Sequence, residues 1–266
     1  VLVAGGVWLA GSGAAEPADA PSAGGAAATG EVVVLAAASL AEPLRTVASE
    51  LERQHPGLTV TVSAGPSSAL AAQVAEGAPA DVLAAASPDT MAVAVDALTA
   101  AGHDVDPVVV ATNTMALAVP GPAAPGGAGD VVSLADLAGD VRYAVCEPQV
   151  PCGEGAAAVL SDVDAAPVTY ERDVGAVLAK VAFGEVDAGL VYASDVHPGA
   201  PLVREGRVVG VPLDEPDPGD APWTTSYPVL ALPDAPNPAG ARAVVAFLVS
   251  QQGRAVLRDA GFGPPP

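Results

Sequence analysis

The chain has 266 residues, enough for one large domain or two smaller ones with cores of their own. Hydrophobic residues make up 51% of it and aromatics only 3%, so any core must be built from Ala, Val and Leu. Acidic residues outnumber basic ones 31 to 10, the net charge is −21, and no segment carries a basic stripe. Nucleic acid is thereby excluded as a partner, because neutralising phosphates needs clustered Lys and Arg.

Residues 1–11, VLVAGGVWLAG, form an uncharged apolar run too short to span a bilayer, matching the apolar region of a secretion signal. After Leu9, Ala10 and Gly11 a bacterial lipoprotein signal would place cysteine, where this chain has Ser12. Residues 13–30, rich in Ala, Gly, Pro and Ser, read as a flexible tether, so 1–30 are set apart from the fold. Glu31–Ala37 reads as a buried strand. The following helix lines up Leu44, Val47, Ala48 and Leu51 and ends at His55-Pro56-Gly57. Leu58–Ser63 alternates as a strand, and Ser67–Glu76 is a helix stopped by Gly77 and Pro79. Asp81–Ala86 is a strand, after which Ser87-Pro88 opens a helix carrying Met91, Val95 and Leu98. Such alternation predicts a mainly parallel sheet covered by helices.

The second half repeats the theme. Strands are expected at Thr114–Val119 and Val141–Cys146, with a Pro/Gly-rich loop over 120–130 and a short helix from Ser133. A helix begins near Gly153, a strand covers Val168–Tyr170, and Val174–Phe183 is helical, capped by Asp173. Asp187–Tyr192, Val208–Pro212 and Tyr227–Leu232 read as strands, and Asn237-Pro238 opens a C-terminal helix carrying Val244, Phe247 and Leu248. Two α/β lobes with a cleft between them follow. Cys146 and Cys152 are the only cysteines; in an exported protein so close a pair reads as a local disulfide.

Enzyme chemistry finds little footing. The three histidines, His55, His103 and His197, sit in turns flanked by Pro or Gly and read as surface residues. No G-x-S-x-G elbow, phosphate-binding glycine loop or metal-ligand spacing is present, so neither a catalytic site nor a free metal cation or cofactor is expected. The strand-to-helix junctions are more informative. In AAASLAEP (36–43), Ser39 and Glu42 have capping-box spacing; in GPSSALA (65–71), Ser67 reads as the cap. Taken alone each is an ordinary cap. A capping hydroxyl nevertheless accepts through its oxygen and keeps a proton to donate outward, beside the free N–H groups of a helix start. Two such junctions at the carboxyl ends of neighbouring strands lie where open α/β sheets bind ligands.

The order of motifs resembles the molybdate-binding proteins of bacterial ABC importers. The matching segments are AAASLAEPL (36–44), PSSALAAQVAEGAPADVLAAAS (66–87), CEPQVPCGEG (146–155), RDVGAVLAKVAFGEVDAGLVYASD (172–195), SYPVLAL (226–232) and AGFG (260–263). The resemblance implies a two-lobed periplasmic-binding-protein fold of type II, each lobe a mainly parallel sheet flanked by helices. Its lobes would be 31–112 plus 226–266 and 113–225. It implies an oxyanion, molybdate or tungstate, held by the Ser39 and Ser67 hydroxyls, the Cys152 and Val174 backbone amides and the Tyr192 hydroxyl. Ser39, Ser67 and Val174 also have the helix-start argument behind them, whereas Cys152 and Tyr192 rest on the resemblance. Relatives commonly have alanine where this chain has Cys152, and a Cys146–Cys152 bridge would compensate by fixing the loop. Pro66 removes an amide donor found in relatives. The resemblance further implies an exported, monomeric receptor that delivers the ion to a membrane permease. Two rivals share the fold: a sulfate or thiosulfate receptor, and the ligand-sensing domain of a transcription regulator.

The physics of an anion in so acidic a chain is workable. Distant carboxylates are screened over about 8 Å at physiological salt. Each hydrogen bond to a charged partner contributes roughly 1.5–3 kcal/mol. Molybdate only accepts hydrogen bonds, so a site made of donors suits it, whereas monohydrogen phosphate also needs an acceptor.

Overall fold

The structure, a computed structural model, describes Val1, residues 28–213 and residues 223–266. The apolar run and most of the tether expected over 1–30, and the end of the loop-rich stretch near 214–222, lie outside these residues. In chain order the first half contains β1 (Gly30–Ala37), α1 (Ala41–Gln54), β2 (Leu58–Gly65), α2 (Ser67–Ala75), β3 (Val82–Ala84), α3 (Pro88–Ala100) and β4 (Val108–Pro120). The second half contains β5 (Tyr143–Cys146), α4 (Pro151–Val159), β6 (Thr169–Glu171), α5 (Val174–Ala182), β7 (Ala188–Tyr192), α6 (Pro201–Arg204) and β8 (Val208–Pro212). After it come β9 (Thr224–Ala231), α7 (Pro238–Val249) and α8 (Gln251–Asp259).

The apolar spacing read from the sequence places the core faces. Leu44, Val47, Ala48 and Leu51 of α1 are buried, as are Val244, Phe247 and Leu248 of α7. The expected helix after Ser133 is only a 3-10 turn, Ala135–Ala138, fastened by the Asp136 carboxylate, which accepts from the Val132 and Ser133 amides. The C-terminal helix is two helices. Ser250 ends α7, and its hydroxyl then caps α8 by accepting from Gly253 N at 3.2 Å.

In each lobe three parallel strands form the floor: β2, β1 and β3 in one, β6, β5 and β7 in the other. β4 joins them. It was expected only from Thr114, but it runs 13 residues. Its first half pairs antiparallel with β9, with an irregularity between Val109 and Ala111, and its second half pairs with β7 and β8. β9 in turn pairs with β3. Two hydrophobic cores result. One gathers residues from Ala28 to Ala111 with Tyr227 to Phe262, the other residues from Met115 to Val208. Burial of each Leu or Val contributes on the order of 1.5–3 kcal/mol.

One buried charge ties the first lobe together. Asp81, 1% exposed, precedes β3; its carboxylate accepts from Val33 N of β1 at 2.7 Å and from Asn237 N before α7 at 2.6 Å. Asn237 caps α7 and donates to Thr29 O at 2.8 Å. Removing the carboxylate strands two backbone donors, so Asp81→Ala should cost about 3 kcal/mol. Thermal unfolding should show this as a midpoint lowered by about 6–12 °C; a shift under about 2 °C would mean that Asp81 does not hold these elements together.

Candidate functional site

Parallel strands point their carboxyl ends the same way, and the helix starts that follow are collected along one edge. In the first lobe that edge carries Ser39 after β1, Ser67 after β2 and Ala86 after β3. In the second it carries Cys152 after β5, Val174 after β6 and Tyr192 at the end of β7. The five residues expected to hold an anion line one cavity together, with both lobes contributing. It measures about 20 Å³, far below the roughly 300–1,000 Å³ of sites for organic ligands.

The serines reach it by a different route from the one expected. Ser39 is not the cap of α1: it lies in a 3-10 turn, Ala38–Leu40, the N-cap position is Leu40, and no side-chain cap bond forms. Its hydroxyl lies 3.1 Å from the Tyr227 hydroxyl. Ser67 is not a cap either, because Pro66 occupies that position and Ser67 is the first residue of α2. Its oxygen accepts from Ala86 N at 3.0 Å, and Ala86 O in turn accepts from the Thr225 hydroxyl at 2.6 Å. Local capping lost to tertiary partners in both cases.

The hydrogen-bond network is compatible with both serines turning their protons to the cavity. Asn113 Oδ1 accepts from Thr114 N at 3.0 Å, which fixes the amide so that Nδ2 donates to Tyr227 Oη at 3.3 Å and to Ser194 Oγ at 2.7 Å. Burial holds the Tyr227 phenol above its ordinary range, so it stays protonated and can donate to Ser39 Oγ. With Tyr227 as the donor, Ser39 has its proton left for the cavity, as Ser67 does with Ala86 N on one of its two lone pairs.

In the second lobe the reading of Asp173 holds. Its carboxylate accepts from Ala176 N at 2.9 Å, and Val174 is the first residue of α5, with its own N–H lacking a helical partner. α4 begins slightly earlier than expected, with Pro151 at its first position and Cys152 second. Cys152 is disulfide-bonded to Cys146, their Cα atoms 5.6 Å apart. Gly153 lets the preceding loop fold over this helix start: a Cβ there would lie 1.9 Å from Glu147 O. Tyr192 is 2% exposed, its hydroxyl makes no well-formed hydrogen bond among the described residues, and burial, with the Tyr227 phenol nearby, raises its pKa well above the usual range. It is therefore a proton donor held at the cavity wall. Its backbone N–H donates to Asp195 Oδ2 at 3.0 Å, and its ring stacks on Trp223 with centroids 6.4 Å apart.

Several participants escaped the sequence reading. Tyr227, Asn113 and Thr225 serve the site from β9 and β4, far from it in sequence, and no local pattern marks them. Trp223 packs so tightly on α4 that a Cβ on Gly155 would come within 2.7 Å of its ring. Arg172 is the single positive residue of the lining; it is exposed and lies 3.6 Å from the Asp173 carboxylate. A basic residue next to a helix cap beside the site was the available signal. The three histidines do lie in turns, but each is half-buried rather than on the surface, and none lines the cavity.

Comparison with known proteins adds to this geometry. Residues 32–263 match the family model described as bacterial extracellular solute-binding protein. The molybdate-binding protein ModA of Mycobacterium tuberculosis is 35% identical over 271 residues, spanning 100% of this chain and 95% of that protein. The periplasmic molybdate-binding protein of Azotobacter vinelandii superposes with a TM-score of 0.70 at 20% identity, covering 88% of this chain and 100% of that one. The sulfate-binding protein SubI of M. tuberculosis gives 0.68 at 16% identity, covering 88% and 86%. At such identities the two structures speak for the fold, the periplasmic-binding-protein type, and not for the ion. With a match over residues 32–263 and a cavity at the strand ends of two α/β lobes, the chain belongs to the bacterial extracellular solute-binding protein family.

Proposed function

We propose that this chain captures molybdate, and tungstate with it, outside the cytoplasm and delivers the ion to the membrane permease of an ABC importer, making and breaking no bond. The observation that carries the reading is the set of donors lining the cavity, the Ser39, Ser67 and Tyr192 hydroxyls and the Cys152 and Val174 amides, beside which the one lining carboxylate, Asp173, is engaged in capping α5. Ser67 already accepts from Ala86 N, and Ser39 has the Tyr227 hydroxyl as a partner that can donate to it. An ion that only accepts hydrogen bonds is matched by such a set, and one that must also donate is not. The molybdate-binding relative at 35% identity supports the same ion. Residues 31–112 with 226–266 form one lobe of this reading and 113–225 the other. The ion draws them together by hinge closure across β4 and β9.

Titration calorimetry against molybdate, tungstate, sulfate and phosphate is the direct test. Molybdate and tungstate should bind tightly and phosphate poorly. Sulfate binding as tightly as molybdate would reassign the ion, and no heat from any of the four would remove the class. Ser39→Ala and Ser67→Ala should each weaken molybdate binding roughly 10- to 100-fold, the equivalent of one charge-assisted hydrogen bond.

The site should also respond to pH. Burial pushes the Asp195 carboxyl up to about 7, and it sits against the Tyr192 backbone with the Tyr192 and Tyr227 phenols nearby. It is charged above that pH and neutral below it, so a negative charge behind the cavity disappears as pH falls. Affinity for a dianion should therefore rise between pH 8 and pH 6, and Asp195→Asn should flatten the profile. A profile that falls toward pH 6, or that survives the substitution, would remove Asp195 from the account.

A further inference from the structure

The devices that hold the site's donors differ in kind. Ser39 is held by Tyr227 and Ser67 by Ala86 N. The amide of Val174 is presented by a capped helix, since Asp173 accepts from Ala176 N at 2.9 Å. The amide of Cys152 has no such support: Val150 occupies the N-cap position of α4 and makes no side-chain cap bond. Nor can the Cys152 N–H be fixed by a hydrogen bond of its own, because it must stay free for a ligand. What remains is its side chain, which is joined covalently to Cys146 at the last position of β5.

We propose that the Cys146–Cys152 bridge is the positioning device of this half of the site, doing for the Cys152 amide what the Asp173 cap does for the Val174 amide. The inference rests on the binding reading above. Three features favour positioning over a general stabilising role. A bridge across so short a loop constrains the unfolded chain less than one closing a long loop. Both cysteines are buried, at 1% and 4% exposure, and Cys152 lines the cavity, so the bridge is not on a surface hairpin. The loop between them is also held at its first residue, where Glu147 N donates to Glu171 O at 2.7 Å, and through the turn from Val150 N to Glu147 O at 3.1 Å. The bridge closes the remaining side, so β5, the turn and the helix start form one rigid unit. Pro151 adds to this by fixing its own φ and offering no competing donor. Freed of the bridge, the helix start could swing while keeping its sequence, its amide and its fold, and the ion would then have to order the loop on arrival.

The test compares the parent chain with the double variant Cys146→Ala/Cys152→Ala, which keeps the backbone amide of residue 152. Molybdate affinity is read by calorimetry well below both melting midpoints, and hydrogen exchange is followed across residues 147–153. The expected result is a dissociation constant raised roughly tenfold, with faster exchange confined to that segment in the ion-free protein. An equivalent comparison needing no substitution, should the double variant fail to fold, reduces the parent with a phosphine. The disulfide becomes two thiols as the phosphine takes oxygen from water, and the bridge state is read by mass after alkylation. A bridge-free form that binds within twofold of the parent overturns the proposal, as does weaker binding without the local rise in exchange. No heat from molybdate in the bridged parent overturns the binding reading and this inference with it, whereas equal heat in both forms overturns the inference alone.

Discussion

β4 hydrogen-bonds with β9 along its first half and with β7 and β8 along its second, so a single strand is a member of both sheets. The strand ends of the two lobes are thereby brought face to face. β9 runs beside it, and Asn113, near the middle of β4, reaches Tyr227 on β9 and Ser194 of the second lobe. Each lobe keeps its own core of small aliphatic side chains, with the aromatic residues concentrated at the junction. There Tyr192, Trp223, Tyr227 and Phe262 contact one another in series. A chain with so few aromatics has placed four of them where the lobes meet.

The site's electrostatics follow from hydrogen-bond direction more than from net charge. The cavity presents neutral hydroxyl and amide donors, with Arg172 as its one cationic residue and Asp173, engaged in the α5 cap, as its one acidic residue. Charged ligands for the ion would carry a large desolvation cost in so confined a space. Neutral donors avoid most of that cost, and the low local dielectric strengthens each bond they make. Solvent screens the distant acidic surface over about 8 Å, so a net charge of −21 is compatible with the proposed anion site.

Local features were legible in the sequence and long-range ones were not. The helix faces of α1 and α7, the Asp173 cap and the Asn237 cap follow from spacing and side-chain chemistry within a few residues, and they stand in the structure as read. Ser39 and Ser67 had the right spacing for caps, yet Tyr227 is 188 residues from Ser39 and Ala86 is 19 from Ser67. No window of local sequence contains those partners. The sequence reading starts β4 only at Thr114 because the polar Thr112 and Asn113 interrupt its apolar run, and that stretch is where the strand leaves one sheet for the other. The meeting of the five site residues in one cavity came from the family resemblance, since periodicity placed them only at an edge.

The division of donors between lobes has a mechanical consequence. On the proposed reading neither lobe alone would present a complete shell, so tight holding would belong to the closed arrangement and not to either surface. A membrane partner therefore has no need to compete for the ion with better ligands of its own. By gripping the two lobes and parting them by a few ångströms, which is beyond hydrogen-bond reach, it would turn a strong site into two weak halves. Discharge would then be a matter of leverage at the rims, leaving the chemistry of the pocket free to be tuned for capture without slowing release.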